Sequence, residues 1–188
     1  MSKAIFLDRD GTINVDKGYL SKIEEFEFIP GAIEGLRMLS KAGYQLIVMT
    51  NQSGIGRGYY TEADFQSLNK WMINTLANYN VEIEQVYYCP HLPNAEIEKY
   101  RCNCNCRKPK LGMYYKAISE YEIDVENSYA IGDRLRDCAI CKSTLCQGFL
   151  IGTTEKDEII QKVKFQQIHG VGYATNLLEA AKVICHNY

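Results

Sequence analysis

The chain has 188 residues, of which 46% are hydrophobic and 23% charged, and a formal net charge of -2. This is the balance of a globular domain able to bury one core, and it lacks the Lys/Arg block that non-specific nucleic-acid binding requires. No apolar run approaches the ~18–20 residues needed to cross a bilayer, so neither nucleic acid nor membrane is an expected partner.

In chain order, residues 3–7 form an apolar run that ends at a carboxylate. Residues 33–42 carry apolar side chains at helical spacing and stop at Gly43. Residues 44–49 read as a second strand. Thr61-Glu62-Ala63-Asp64 reads as a capping box that opens a helix to about Tyr79, with Phe65, Leu68, Met72 and Leu76 on one face. Residues 85–88 read as a strand and 113–121 as a helix. Strands follow at 128–131 and 148–151, and 175–184 has an apolar helical face. Strand and helix alternate, which predicts an α/β fold with a mainly parallel, doubly wound, Rossmann-like sheet covered on both faces. Residues 90–112 fit neither period and need another organiser.

The opening Met1-Ser2-Lys3-Ala4-Ile5-Phe6-Leu7-Asp8 turns acidic too early for a secretion signal. The expectation is a single domain over 1–188, cytoplasmic and monomeric. In that setting the eight cysteines read as thiols and metal ligands.

In parallel sheets, chemistry collects at the carboxyl ends of strands. Three polar clusters fall there: Asp8/Asp10, Thr50/Asn51 and Asp133/Asp137. One Asp after a strand reads as a helix cap. Three coincident clusters point to a site, and gathered carboxylates repel one another unless a cation neutralises them. Mg²⁺ suits oxygen ligands and keeps water positions open for a phosphate oxygen.

Asp8-x-Asp10-Gly11-Thr12, Thr50-Asn51, Lys108 and Gly132-Asp133-x-x-x-Asp137 together resemble the haloacid-dehalogenase-type (HAD) phosphatases, over residues 4 to about 150. The resemblance implies Asp8 as nucleophile and Asp10 as general acid and base. It implies Mg²⁺ on Asp8, Asp10 (through its carbonyl) and Asp133. Thr50 and Lys108 would hold the phosphoryl oxygens, and Asp137 would orient Lys108 or the metal waters.

Cys89-Pro90-His91 and Cys104-Asn105-Cys106 are two short clips that can supply the Cys₃His set of a structural zinc. Such a zinc would organise a loop over about 89–107. Cys102 offers an overlapping pair with Cys104. Cys104 and Cys106 are preferred because Arg107-Lys108-Pro109 follows directly, as in the zinc-loop members of the family. Cys138, Cys141, Cys146 and Cys185 lack such pairing and read mostly as core thiols.

Within that group, the heptose-bisphosphate phosphatases are resembled by several stretches. These are Asp8-Arg9-Asp10-Gly11-Thr12-Ile13-Asn14-Val15-Asp16-x-Gly18-Tyr19, Thr50-Asn51-Gln52-Ser53-Gly54-Ile55-x-Arg57-Gly58 and Tyr87-Tyr88-Cys89-Pro90-His91. The resemblance implies a small phosphorylated sugar as substrate. Asp16, Lys17, Gly18, Tyr19, Thr50, Asn51, Gln52 and Ser53 would line it, and Arg107, Lys108 and Arg134 would meet its phosphates. Arg134 stands where those enzymes often have Lys, and histidinol-phosphate phosphatases often show Asp-Arg there. Gly54 to Gly58, with Arg57 in support, reads as a loop shaping the pocket mouth. No large insertion is present, so the cap is expected to be minimal. The segment after Thr153 matches the family poorly.

Overall fold

A computed structural model describes residues 1–152, 156–164 and 167–186. Six strands are described: β1 (Ala4–Leu7), β2 (Gln45–Asn51), β3 (Gln85–Cys89), β4 (Tyr129–Gly132), β5 (Gln147–Ile151) and β6 (Val171–Ala174). They form one sheet in the order β3-β2-β1-β4-β5-β6, with every pairing parallel. The helices are α1 (Ala32–Lys41), α2 (Ser53–Gly56), α3 (Glu62–Ala77), α4 (Gly112–Tyr121), α5 (Asp157–Lys164) and α6 (Leu177–His186).

Every residue of β1 is buried, as expected of a central parallel strand covered on both faces. Its alternate side chains feed two cores. Ile5 and Leu7 pack with Leu36 of α1, Met72 of α3 and Ala181 of α6. Ala4 and Phe6 face the other way, toward Met113 and Tyr114 of α4 and Val163 of α5. A third, smaller cluster of Ile55, Tyr60, Phe65, Leu92, Ala95 and Tyr100 lies under the 90–112 loop.

The capping box at Thr61 is formed, and Phe65, Leu68, Met72 and Leu76 are buried along one face of α3. The strand order reverses around β1, so the crevice beyond the carboxyl ends of β1, β2 and β4 is where a doubly wound sheet places its ligand.

Three elements departed from the sequence reading. β6 and α5 were not expected: Val171-Gly172-Tyr173-Ala174 is too short and glycine-bearing to register as a strand, and α5 has only 8 residues. The segment expected as a pocket-mouth loop instead begins as helix α2, whose Gly54, Ile55 and Gly56 are all buried. The glycines there serve close packing. A Cβ on Gly56 would lie 2.6 Å from the Pro90 carbonyl oxygen, and one on Gly54 would lie 2.2 Å from the Tyr60 ring. Thr153 lies outside the described residues.

Candidate active site

β1 delivers Asp8 to the sheet edge, where its backbone N–H donates to the Ile131 carbonyl of β4 at 2.9 Å. The chain then turns at Gly11, whose φ is +84°. A Cβ at Gly11 would lie 2.5 Å from Asp133 Oδ2, so only glycine lets the β1 loop approach the β4 carboxylate this closely. Gly132 does the same for Asp137, whose Cβ would lie 2.3 Å from an added Cβ.

Lys108 enters from the loop before α4 and is almost wholly buried between two carboxylates. Its Nζ lies 2.9 Å from Asp8 Oδ1 and 2.6 Å from Asp137 Oδ1. It also donates to the Met49 carbonyl at 2.5 Å. Desolvation alone would lower the Lys108 pKa, but the charges of Asp137 and Asp8 outweigh it and hold the ammonium above its ordinary value. Burial pushes the Asp8 carboxyl up to about 6, Asp137 adds to the rise, and Lys108 opposes it.

Asn51 fixes the Lys108 backbone. Its Nδ2 donates to the Lys108 carbonyl at 3.1 Å and its Oδ1 accepts from the Lys108 N–H at 3.0 Å. Asn51 therefore joins β2 to the Lys108 loop as well as facing the pocket.

Asp10 sits in a ring of donors. Arg9 Nη2 meets its Oδ1 and Oδ2 at 2.9 and 3.0 Å. Asn14 Nδ2 meets Oδ1 at 3.0 Å and Gln52 Nε2 meets Oδ2 at 2.9 Å. Arg9 itself is fully buried and reaches α3 through Asn69 at 3.4 Å.

The pocket over these residues has a volume of about 330 Å³. It brings together Asp8, Asp10, Asp16, Gly18, Tyr19, Thr50, Asn51, Gln52, Ser53, Arg107, Asp133 and Arg134, all expected from the sequence. Lys108 is not among the lining residues; it lies buried against Asp8, which is. Lys17 does not line it and pairs instead with Glu27 at 3.2 Å. Arg57 is also outside the lining. Leu20, Tyr60 and Arg136 line the pocket and were not read from the sequence. The alternation of Tyr59 and Tyr60 before the capping box was the available signal for Tyr60. Arg136 lies one residue before Asp137, in a segment read for Asp133, Arg134 and Asp137.

Carboxylate oxygens of Asp8, Asp133 and Asp137 all lie within 4.8 Å of one another. Asp137 is already committed to Lys108 and to the Arg134 N–H at 3.0 Å. Lys108 meets Asp8 through Oδ1 alone, and Asp8 with Asp133 forms an all-oxygen pair of buried carboxylates that fits a hard divalent cation such as Mg²⁺.

A second cluster lies in the 90–112 loop. Cys89 Sγ is 3.5 Å from Cys104 Sγ and 3.8 Å from His91 Nδ1, and His91 Nδ1 is 3.3 Å from Cys106 Sγ. Tetrahedral zinc with bonds of about 2.0–2.3 Å requires ligand atoms about 3.5–3.8 Å apart. The two Cys89 distances fall in that range and His91–Cys106 lies just below it, so the four side chains are able to hold one metal ion. Cys102 is exposed, whereas Cys138, Cys141 and Cys146 are buried and Cys185 is half-buried.

The fold and site invite comparison with known proteins. The family model described as "Polynucleotide kinase 3 phosphatase" matches residues 3–175. A D-glycero-beta-D-manno-heptose-1,7-bisphosphate 7-phosphatase of Escherichia coli O6:H1 is 52% identical over 134 residues, covering 71% of this chain and 70% of the relative. The protein of the same name from Pasteurella multocida is 46% identical over 156 residues, covering 83% and 84%. Among solved structures, the D,D-heptose 1,7-bisphosphate phosphatase from B. bronchiseptica, complexed with magnesium and phosphate, superposes with a TM-score of 0.82. Its identity is 27%, and the match covers 99% of each chain. The chain belongs to the family of D-glycero-beta-D-manno-heptose-1,7-bisphosphate 7-phosphatases.

Proposed function

We propose that this protein is a Mg²⁺-dependent phosphatase that removes the 7-phosphate of D-glycero-D-manno-heptose 1,7-bisphosphate through an aspartyl-phosphate on Asp8. The observation that carries the mechanism is the buried Lys108 ammonium, 2.9 Å from the pocket-lining Asp8. The identity of 52% to a curated enzyme of that name supports the substrate.

In the first step an Asp8 oxygen forms a bond to phosphorus while the bond to the sugar oxygen breaks. Asp10 gives its proton to the leaving alkoxide. In the second step water attacks the Asp8-bound phosphoryl group, Asp10 takes the water proton, and inorganic phosphate leaves with Asp8 restored. Lys108 and Thr50 hold the phosphoryl oxygens, where transition-state charge is spread. When bound, Mg²⁺ would be held by Asp8, Asp133 and the Asp10 carbonyl, and would reduce repulsion between Asp8 and the phosphoryl oxygens.

Arg107 lines the pocket and its Nη1 is buried without a hydrogen-bond partner among the described residues. A guanidinium so placed suits the second phosphate of a bisphosphate. Zinc at Cys89, His91, Cys104 and Cys106 would fix the loop that ends at Arg107. The chain would act as one domain with a minimal cap, as a monomer. No described helix is long and apolar enough to cross a membrane, and the eight free cysteines favour the reducing cytoplasm.

Arg134 supports a second reading, histidinol phosphate as substrate, since it keeps an Asp-Arg pair with Asp133 at 3.5 Å. The deciding experiment compares kcat/KM for both anomers of the heptose bisphosphate with that for histidinol phosphate. The expected result is a preference for the bisphosphate with release from C7. A preference for histidinol phosphate would replace the substrate and leave the mechanism in place.

A further inference from the structure

Tyr60 is buried and lines the pocket, yet the two chemical steps above do not use it. Its Oη donates to Gln52 Oε1 at 2.5 Å. The other end of the same amide donates twice, to Asp10 Oδ2 at 2.9 Å and to Thr50 Oγ1 at 2.8 Å. The amide orientation is forced by chemistry, because its oxygen would repel the Asp10 carboxylate and only its nitrogen carries hydrogens.

The site is built to hold this tyrosine. Gly54 has no side chain where the ring passes: a Cβ there would lie 2.2 Å from Tyr60 Cε1 and 2.9 Å from Oη. The Tyr59 N–H donates to the Gly54 carbonyl at 2.9 Å, which fixes the turn that delivers Tyr60. Burial raises the phenol pKa well above its ordinary value, so the hydroxyl remains a donor.

We propose that Tyr60 is a positioning residue for phosphoryl transfer, acting through Gln52 to hold the Asp10 carboxylate in place toward the leaving group. This rests on the reading of Asp10 as the acid that protonates the leaving group. The Gln52 side-chain amide has three hydrogen bonds and a two-fold rotor at its end. Without the Tyr60 hydroxyl the amide loses the contact that anchors its oxygen, and Asp10 loses the register of one of its donors. General acid catalysis depends on such geometry, and a misplaced proton donor slows the step it serves.

The substrate's leaving group gives the test. A sugar alkoxide needs a proton as it departs, whereas p-nitrophenolate leaves without one. Steady-state kcat/KM reports transfer to Asp8 and is measured in Mg²⁺ for Tyr60→Phe with the sugar bisphosphate and with p-nitrophenyl phosphate. General acids contribute about 10²–10⁴-fold, so a displaced one is expected to lower kcat/KM about tenfold with the sugar and less than about twofold with the aryl ester. Gln52→Met alone should give a similar loss, and adding Tyr60→Phe to it should cost no more. Equal losses on both substrates, no loss on either, or independent losses in the double variant would overturn the proposal. Retention of sugar-phosphate turnover by Asp10→Asn would overturn instead the reading of Asp10 on which it rests.

Discussion

Lys108 Nζ lies 2.6 Å from Asp137 Oδ1, and both side chains are only 1% exposed. The pair sits against Asp8, so one buried ammonium serves two buried carboxylates. Lys108→Met removes that charge and leaves both acids uncompensated. Breaking such a buried set costs about 3–5 kcal/mol, so a clear drop in Tm by calorimetry is expected. Activity should fall far more than stability, since the phosphoryl cation is gone. Lys108→Arg should not restore turnover, because a planar guanidinium does not replace a compact ammonium at this closed position.

The loop residues give a metal-dependent prediction. Protein purified under reducing conditions should hold about one equivalent of zinc, measured by elemental analysis. Stripping it, or replacing Cys104 by Ser, should lower Tm and raise KM for the bisphosphate, because Cys106 directly precedes Arg107. Preparations free of zinc with unchanged Tm would argue against the site.

Much of this was legible because the motifs sit where strand ends must bring them. Asp8, Thr50 and Asp133 each close an apolar run, and parallel order alone makes them neighbours. The gathering of Cys89, His91, Cys104 and Cys106 was legible from spacing, and the exposed position of Cys102 now separates it from Cys104. What stayed hidden depended on packing. Gly54 to Gly58 signalled a pocket-mouth loop, but what Gly54 and Gly56 make room for is a tyrosine ring and a carbonyl oxygen. Lys17 sits inside a substrate-like stretch, yet it is outside the pocket lining and pairs with Glu27. No period in the sequence encodes either contact.

Glu62 ties Tyr88 and the 90–112 loop to α3 and makes stability depend on pH. Its carboxylate accepts from Tyr88 and Tyr100, each at 2.8 Å. These two hydroxyls, Tyr88 first, hold its pKa below the ordinary value of 4.5. A lowered folded-state pKa contributes stability above the unfolded value, and that stability is lost as pH falls through the folded one. Glu62→Gln should therefore lower Tm at neutral pH, and the difference should vanish in acid below the folded-state pKa. The carboxylate is partly exposed, so the effect should stay below about 1 kcal/mol. A difference constant across pH would contradict it.

Arg107→Ala should separate binding from chemistry. Loss of a charge-assisted contact to a phosphate costs about 1.5–3 kcal/mol, so KM for the bisphosphate should rise at least tenfold. For a monophosphorylated substrate it should change little. Equal effects on both would mean that Arg107 meets the reacting phosphate.

The most direct measurement is Mg²⁺-dependent phosphate release from the heptose bisphosphate by Asp8→Asn, with folding checked by Tm. A nucleophilic Asp8 predicts no turnover in the folded variant, while the wild-type protein yields a trapped acyl-phosphate mapped to Asp8. Turnover retained by Asp8→Asn would show that the phosphoryl group never passes through this carboxylate.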